Sequence, residues 1–331
     1  MSTSAEPTHP DHLELRARRL IAQGLAPTGA RAQLRTPLDV ARHLLALQGQ
    51  NYQAGIAALA VRAGVDVAAV LAAVDTRELI RTWPQRGTLH FMAAEDARWM
   101  MRLCNPRVAR AQEQRRPQLG IGPDAFAAAR EAFHGKLLEP ADEPLTRRGA
   151  YAVFAAAGVD PADGRGSHLL RAFGGEGDVV QGPKLGTEET FLHVNHLPVL
   201  QRELSGDEAL AELGSRYFHA HGPARVKDLA WWSGLSQTEA KRARQLSRDV
   251  TEIELAGETF VMGAWQEQVT GEELQAALER DYILPAFDEY LLGYGTRAEI
   301  VAPEIAPEVL SKNGLSWPFH VSSGAITGRA T

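Results

Sequence analysis

One cysteine, Cys104, stands in a chain of 331 residues. A lone thiol excludes an internal disulfide and suits a reducing compartment. No apolar run approaches the ~18 residues of a membrane-crossing helix. The opening "MSTSAEPTHPDH" has no basic start followed by an apolar stretch, so residues 1–12 read as a disordered lead and not as a signal peptide. These absences predict a soluble, cytoplasmic protein. Metal motifs are missing too: "HVNH" (His193, His196) and "HAH" (His219, His221) lack a partnering cysteine or the His-Glu-x-x-His spacing of a zinc site. "GGEGD" lacks the strand, lysine and spacing of a phosphate-cradling loop. Neither metal nor cofactor is expected.

Charge is present but uneven. The net charge of −6 argues against a polyanionic partner, yet "MRLCNPRVARAQEQRRPQ" holds five arginines (Arg102, Arg107, Arg110, Arg115 and Arg116) against one acid. A second basic run, "TEAKRARQLSR", follows the pair Trp231 and Trp232. Arginine forks match phosphate oxygens, although a solvated helix face explains either run equally well.

The pattern is mainly α with small β elements, an α+β chain. "HLELRARRLIAQGL", "TPLDVARHLLALQ" and "VDVAAVLAAVDTRELIRTW" read as helices, the second started by the cap-and-proline pair Thr36 and Pro37. "WPQRGTLHFM" reads as a hairpin turning at Arg-Gly-Thr. Helices followed by a hairpin is the order of a winged helix. It returns in "EPLTRRGAYAVFAAAGVD", a capped helix with a glycine stop, followed by "SHLLRAFGGEGDVVQGPKLGTEETFLHV", and again in "DEALAELGSRYFHAHGPARVKDLAWWSGLSQTEAKRARQL" with "VTEIELAGETFVMG", a hairpin turning at Ala256 and Gly257. The expected organisation is winged-helix units over residues 13–120, 121–205 and 206–265, then a β-barrel-like domain over 266–331. Its end, "WPFHVSSGAITGRAT", reads as a hairpin stopped midway, expected either from a truncated domain or from a barrel that closes differently.

One stretch raises a chemical question. In "HLLALQGQNYQAG" an apolar helix closes on two neutral amides, Gln48 and Gln50, around a glycine. Solvated residues at a helix end are the simplest account. Elsewhere, Trp83 reads as core, and at least one of Trp231 and Trp232 as packing. In "FDEYLLGYGTR" the acids Asp288 and Glu289 read as strand neighbours facing opposite ways, with Asp288 paired structurally to an arginine.

Four stretches, "LLALQGQ", "RTWPQRGTLHFM", "RYFHAHGPARVKDLAWWSGL" and "LPAFDEYLLGYGTR", together resemble the AlkZ-type winged-helix DNA glycosylases, in order over nearly the whole chain. The resemblance implies three tandem winged helices and a β-barrel-like domain around a concave surface for duplex DNA. It implies removal of guanines alkylated at N7 and, in one branch, unhooking of interstrand crosslinks left by antibiotics such as azinomycin. That branch carries a catalytic glutamine, an apolar residue and a second glutamine. Gln48 and Gln50 match; Gly49 departs from the apolar middle position. The partner implied is duplex DNA with alkylated guanine, acted on by a monomer. Arg86 and His90 lie in a hairpin motif close to the family's active surface. They are expected to contact phosphate, His90 alternatively ordering the loop or being a buried structural histidine.

The chemistry suits amides. Alkylation at N7 gives guanine a positive charge, so the base leaves neutral and needs no general acid. What remains is to orient a water at the sugar, which a glutamine carbonyl and amide can do without titrating. Two other functions stay open: a non-catalytic winged-helix regulator, which would bind specific sequence as a dimer, and a decayed binder that shields the lesion.

Overall fold

Thr36 and Pro37 start a helix as their pairing predicts. The Thr36 hydroxyl accepts from the Asp39 amide at 3.0 Å while the Asp39 carboxylate accepts from the Thr36 amide at 2.9 Å, closing a capping box on helix Pro37–Leu44. Ser236 with Glu239 and Thr270 with Glu273 cap helices Gln237–Leu246 and Gly271–Leu278 in the same way. The computed structural model describes residues 10–140 and 143–330. Most of the lead expected over residues 1–12 therefore lies outside the described residues, and from Pro10 the chain is helical, over Pro10–Ala22. The chain mixes α and β structure with helix predominating. No single helix among the described residues is long and apolar enough to cross a membrane.

The chain divides into two compact units, one built from residues up to Val67 and again from Leu210 onward, the other from Ala68–Ala209. In the second unit the "WPQRGTLHFM" hairpin pairs Leu79–Gln85 with Thr88–Ala93. Its turn is Arg86 (φ 51°) and Gly87 (φ 64°), the two positive φ values whose twist suits a two-residue hairpin. The segment read as one helix through Trp83 stops at Asp75: Arg77 turns left-handed (φ 62°), and "ELIRTW" enters the sheet. β-propensity of Ile80, Thr82 and Trp83 prevails there over helical continuation.

The second hairpin-like pair, Val179–Gln181 with Thr190–His193, joins the first through Arg81 opposite Gln181. The wings expected of two successive units thus share one antiparallel sheet. Over it lies a core of Phe133, Phe154, Phe173 and Phe191 with Trp83, whose ring stacks parallel to Phe191 at 6.5 Å between centroids. Trp83 is core, as its size predicts. Gly174 is required beside it, because a Cβ there would stand 2.1 Å from the indole.

In the first unit, helix Pro10–Ala22 packs on Gly271–Leu278. Helices Gly206–His221, Val226–Ser233 and Gln237–Leu246 are followed by the hairpin Val250–Leu255/Glu258–Gly263, which turns at Ala256 and Gly257 as expected. Trp232 is fully buried. The C-terminal β segment is smaller than a barrel. Its strands Ala325–Arg329, Phe319–Ser322 and Tyr282–Leu284 form a three-stranded antiparallel sheet, and no closed barrel exists among the described residues. The final hairpin, expected to be cut short, has both strands paired from Phe319 opposite Arg329 to Ser322 opposite Ala325. Turn residues Ser323 and Gly324, both at positive φ, close it.

Candidate active site

The two glutamines do not sit in a helix C-terminal turn. Helix Pro37–Leu44 is broken at Leu45, whose φ of 67° and ψ of −49°, with the Ala46 amide bonded back to the Leu44 carbonyl at 2.8 Å, make a strained γ-turn. A buried leucine held there is an uncommon conformation of the kind that concentrates at functional sites. Leu47–Gln48 is a two-residue strand, and Asn51 then caps helix Tyr52–Ala63 through the Ala54 amide at 3.1 Å. The pair therefore lies on a tight connection between two helix ends. Sequence reading missed the helix at Tyr52 because its alanine-rich run has no amphipathic stripe.

Within this turn Gln48 is buried, 8% exposed, and its Oε1 accepts the Gln50 amide at 2.9 Å. That bond fixes the carbonyl's direction and leaves its second lone pair as an acceptor. Gln50 is exposed.

Helix Glu289–Leu292 packs against the Leu47–Gln48 strand. Here "FDEYLLGYG" departs from the strand reading: Phe287 turns at φ 63°, and the Asp288 carboxylate accepts the Tyr290 amide at 2.8 Å, starting a short helix with both acids buried. Asp288 pairs with an arginine, as expected. The partner is Arg62, bidentate at 2.7 and 2.8 Å with both side chains fully buried. Burial opposes the Arg62 charge, but Asp288 more than offsets it and holds the guanidinium above its usual pKa. Arg62 also donates to the Gln23 side chain at 3.0 Å, and Gln23 donates to the Glu289 carbonyl and the Tyr294 hydroxyl. Glu289 accepts from Trp232 Nε1 and lies 3.2 Å from His221 Nε2. Nothing local in the sequence pairs Arg62, Gln23 or His221 with this segment.

His43 lies on the helix before the turn. Its Nε2 is 2.6 Å from the Ala22 carbonyl, and burial, with Arg31 nearby, depresses its pKa to about 3, so the ring stays neutral.

In the second unit His90 is fully buried, with Nδ1 2.9 Å from the Thr88 carbonyl and Nε2 3.5 Å from the Gln85 amide nitrogen. It sits inside the hairpin, bonded across the turn that carries Arg86. The hairpin tip is seated by Arg171, whose Nε donates to the Gly87 carbonyl at 2.6 Å. Arg102 is half exposed and shared between Asp178 at 3.4 Å and Glu203 at 3.5 Å. On helix Pro106–Arg115, Arg107, Arg110 and Arg115 are exposed, and among the described residues no carboxylate pairs with them. Arg116 lies with its guanidinium carbon 3.6 Å from the Phe126 ring centre. The five arginines of one sequence run thus differ: one is neutralised by acids, one lies against an aromatic ring, and three face solvent. Sequence reading missed His168 and Arg171 of helix Arg165–Gly174; their signal was a polar stripe on an otherwise apolar helix. Among the described residues no cluster of histidine, cysteine or acid can hold a metal.

The model of the family described as DNA glycosylase AlkZ-like matches residues 41–331. An interstrand DNA cross-link repair glycosylase of Streptomyces sahachiroi is 27% identical over 306 residues, 88% of this chain and 80% of that protein. The solved structure of the Streptomyces sahachiroi DNA glycosylase AlkZ is similar with a TM-score of 0.73, covering 96% of this chain and 85% of that one at 24% identity, a likeness of fold. A family match over so much of the length, on a chain of the same fold, establishes that this protein belongs to the AlkZ-like family of DNA glycosylases.

Proposed function

We propose that the protein hydrolyses the N-glycosidic bond of N7-alkylated guanine in duplex DNA, crosslinked guanine included, with Gln48 and Gln50 positioning the water. The observation that carries this reading is the Gln48 side chain, buried and pinned by the Gln50 amide next to a strained turn. A neutral acceptor held in one direction suits a water that must be aimed and not deprotonated. Water oxygen bonds to C1′ as the bond to N9 breaks, the electron pair leaves with the base and cancels its positive charge, and the spare proton passes to solvent. The buried Arg62–Asp288 pair acts by holding the segment on which the Gln48 strand packs. The cross-link repair glycosylase among the relatives supports the crosslinked substrate.

Duplex DNA is bound through Arg107, Arg110 and Arg115, with Arg86 on phosphate and His90 ordering its hairpin. Arg102 and Arg116 add field more than contact. In this reading residues 13–120, 121–205 and 206–265 derive from three winged helices, followed by a β segment over 266–331, in a monomer. The order of helices and hairpins supports it.

The test is single-turnover base release from a duplex carrying one N7-methylguanine, read as alkali-sensitive scission, with Gln48→Ala and Gln50→Ala beside the wild type. Each variant is expected to lose about a hundredfold in rate with DNA affinity retained. No release by the wild type from this duplex or a crosslinked one, with binding intact, would leave a binder of DNA and refute the proposal.

A further inference from the structure

A cavity of about 580 Å³ in the second unit lies where the hairpin tip meets helices Pro106–Arg115 and Arg165–Gly174. Each helix turns one face into it: residues 108, 111, 112 and 115 from the first, residues 167, 168 and 171 from the second, with Gly164 just before that helix. Both sets keep to one side of their helix in steps of three and four residues. The stripes bring Arg115 and Arg171 to the same space, and the turn residue Arg86 lines it as well. Asp163 is the one acid among the lining residues, and it is largely exposed and 3.6 Å from Arg165. Among the described residues no carboxylate pairs with Arg115 or Arg171. Arg115 and Arg171 thus bring two guanidinium forks to the cavity with no carboxylate paired to either, and Arg86 adds a third cation to its lining.

A second, independent feature lies in the same wall. His168 is 8% exposed, and its Nε2 is buried without a hydrogen-bond partner. Burial lowers its pKa, and the charges of Arg116, Arg115 and Arg171 lower it further. Arg171 is lowered likewise, by burial and then by Arg115. An anion in the cavity answers both features, since it neutralises the arginines and gives the orphaned imidazole nitrogen an acceptor.

We propose that this cavity binds a phosphate of the DNA backbone, with Arg115 and Arg171 as the main cations, Arg86 at the hairpin turn and His168 as a proton-linked donor. The proposal rests on the DNA-acting reading above. A phosphodiester offers two non-bridging oxygens to forked donors, and the volume admits the flanking sugars, which a bare ion would leave unfilled. The groups facing His168 are Arg115 and Arg116 from the first helix and its continuation, Arg171 on its own helix, Asp163 before that helix, and Arg86 of the hairpin. All but one are cations, so the empty site disfavours a protonated His168 and the occupied site favours it. Binding then takes up a proton, and affinity rises as pH falls.

The experiment is an NMR pH titration of His168 in the full chain, alone, with a short undamaged duplex, and with inorganic phosphate. Duplex is expected to raise the His168 pKa by about one unit or more, and millimolar phosphate to raise it less. In parallel, Arg115→Gln is expected to weaken duplex binding severalfold and to reduce the slope of log affinity against log salt by about one. His168→Gln is expected to abolish the pH dependence of affinity over about pH 5 to 7. A His168 unmoved by bound duplex overturns the proposal, as does one that responds to inorganic phosphate alone. If a variant fails to fold, the wild-type titration decides. A duplex-responsive His168 in a protein that releases no base would refute the glycosylase chemistry and leave this site standing; base release with an unresponsive His168 would do the reverse.

Discussion

The glutamine turn of the first unit and the arginine-lined hairpin tip of the second handle charge in opposite ways. Behind the Gln48 turn Arg62 is buried against Asp288, and His43 is kept neutral. At the hairpin tip Arg115 and Arg171 stand on two helix stripes with no carboxylate paired to either, and His168 beside them has an unused nitrogen. Internal charge in the first region fixes geometry, whereas Arg115 and Arg171 in the second are placed for a partner from outside the chain. Chemistry and binding should therefore respond to different substitutions.

The largest expected contrast is in stability. Asp288→Ala strands the buried Arg62 charge and should lower the unfolding free energy by about 3–5 kcal/mol, read from the denaturant midpoint. Removing the exposed Arg107 charge should change it by no more than about 0.5 kcal/mol. Equal losses would erase the distinction.

Acid sharpens it next. The folded pKa of His43 is about 3, below the ordinary value of about 6.5. As pH falls below about 6.5, the unfolded chain binds a proton that the folded ring refuses, so stability is full above that value and declines by up to about 1.4 kcal/mol per pH unit. His43→Gln should flatten the fall, measured as midpoint against pH, between about pH 6 and 4. A smaller loss, about 1 kcal/mol by thermal unfolding, is expected for Thr36→Ala, which removes the cap of the helix entering the glutamine turn. Smallest is Arg107→Gln with Arg110→Gln, a severalfold loss of duplex affinity that fades as salt rises.

Much of the fold was legible where the signal is local. Thr36-Pro37, the Arg86-Gly87 turn, the Ala256-Gly257 turn and the glycine stop after "AYAVFAAA" are short-range chemistry, and the structure has each. What failed was non-local or at odds with it. Trp83 is core, but "ELIRTW" follows its β-branched and aromatic content into a sheet. "FDEYLLGYG" looks like a strand until Asp288 turns back to cap Tyr290, and its partner Arg62 is 226 residues distant. No periodicity forecasts two hairpins merging through Arg81 and Gln181. In the candidate site the residue types at Gln48 and Gln50 were visible, while the γ-turn at Leu45 that holds them was not, since nothing in a leucine announces a positive φ. Cavity-lining His168 went unseen because its partners reach it only in three dimensions.

The central claim is that neutral amides conduct the reaction without a titrating group. Its most direct test is the single-turnover rate of N7-methylguanine release at saturating enzyme as a function of pH. A profile between about pH 6 and 9 with no limb beyond that of the uncatalysed loss of the same base, lowered uniformly by Gln48→Ala, is the predicted result. A limb or bell that the uncatalysed reaction lacks and that survives Gln48→Ala would place a titrating side chain at the reacting bond and contradict the account.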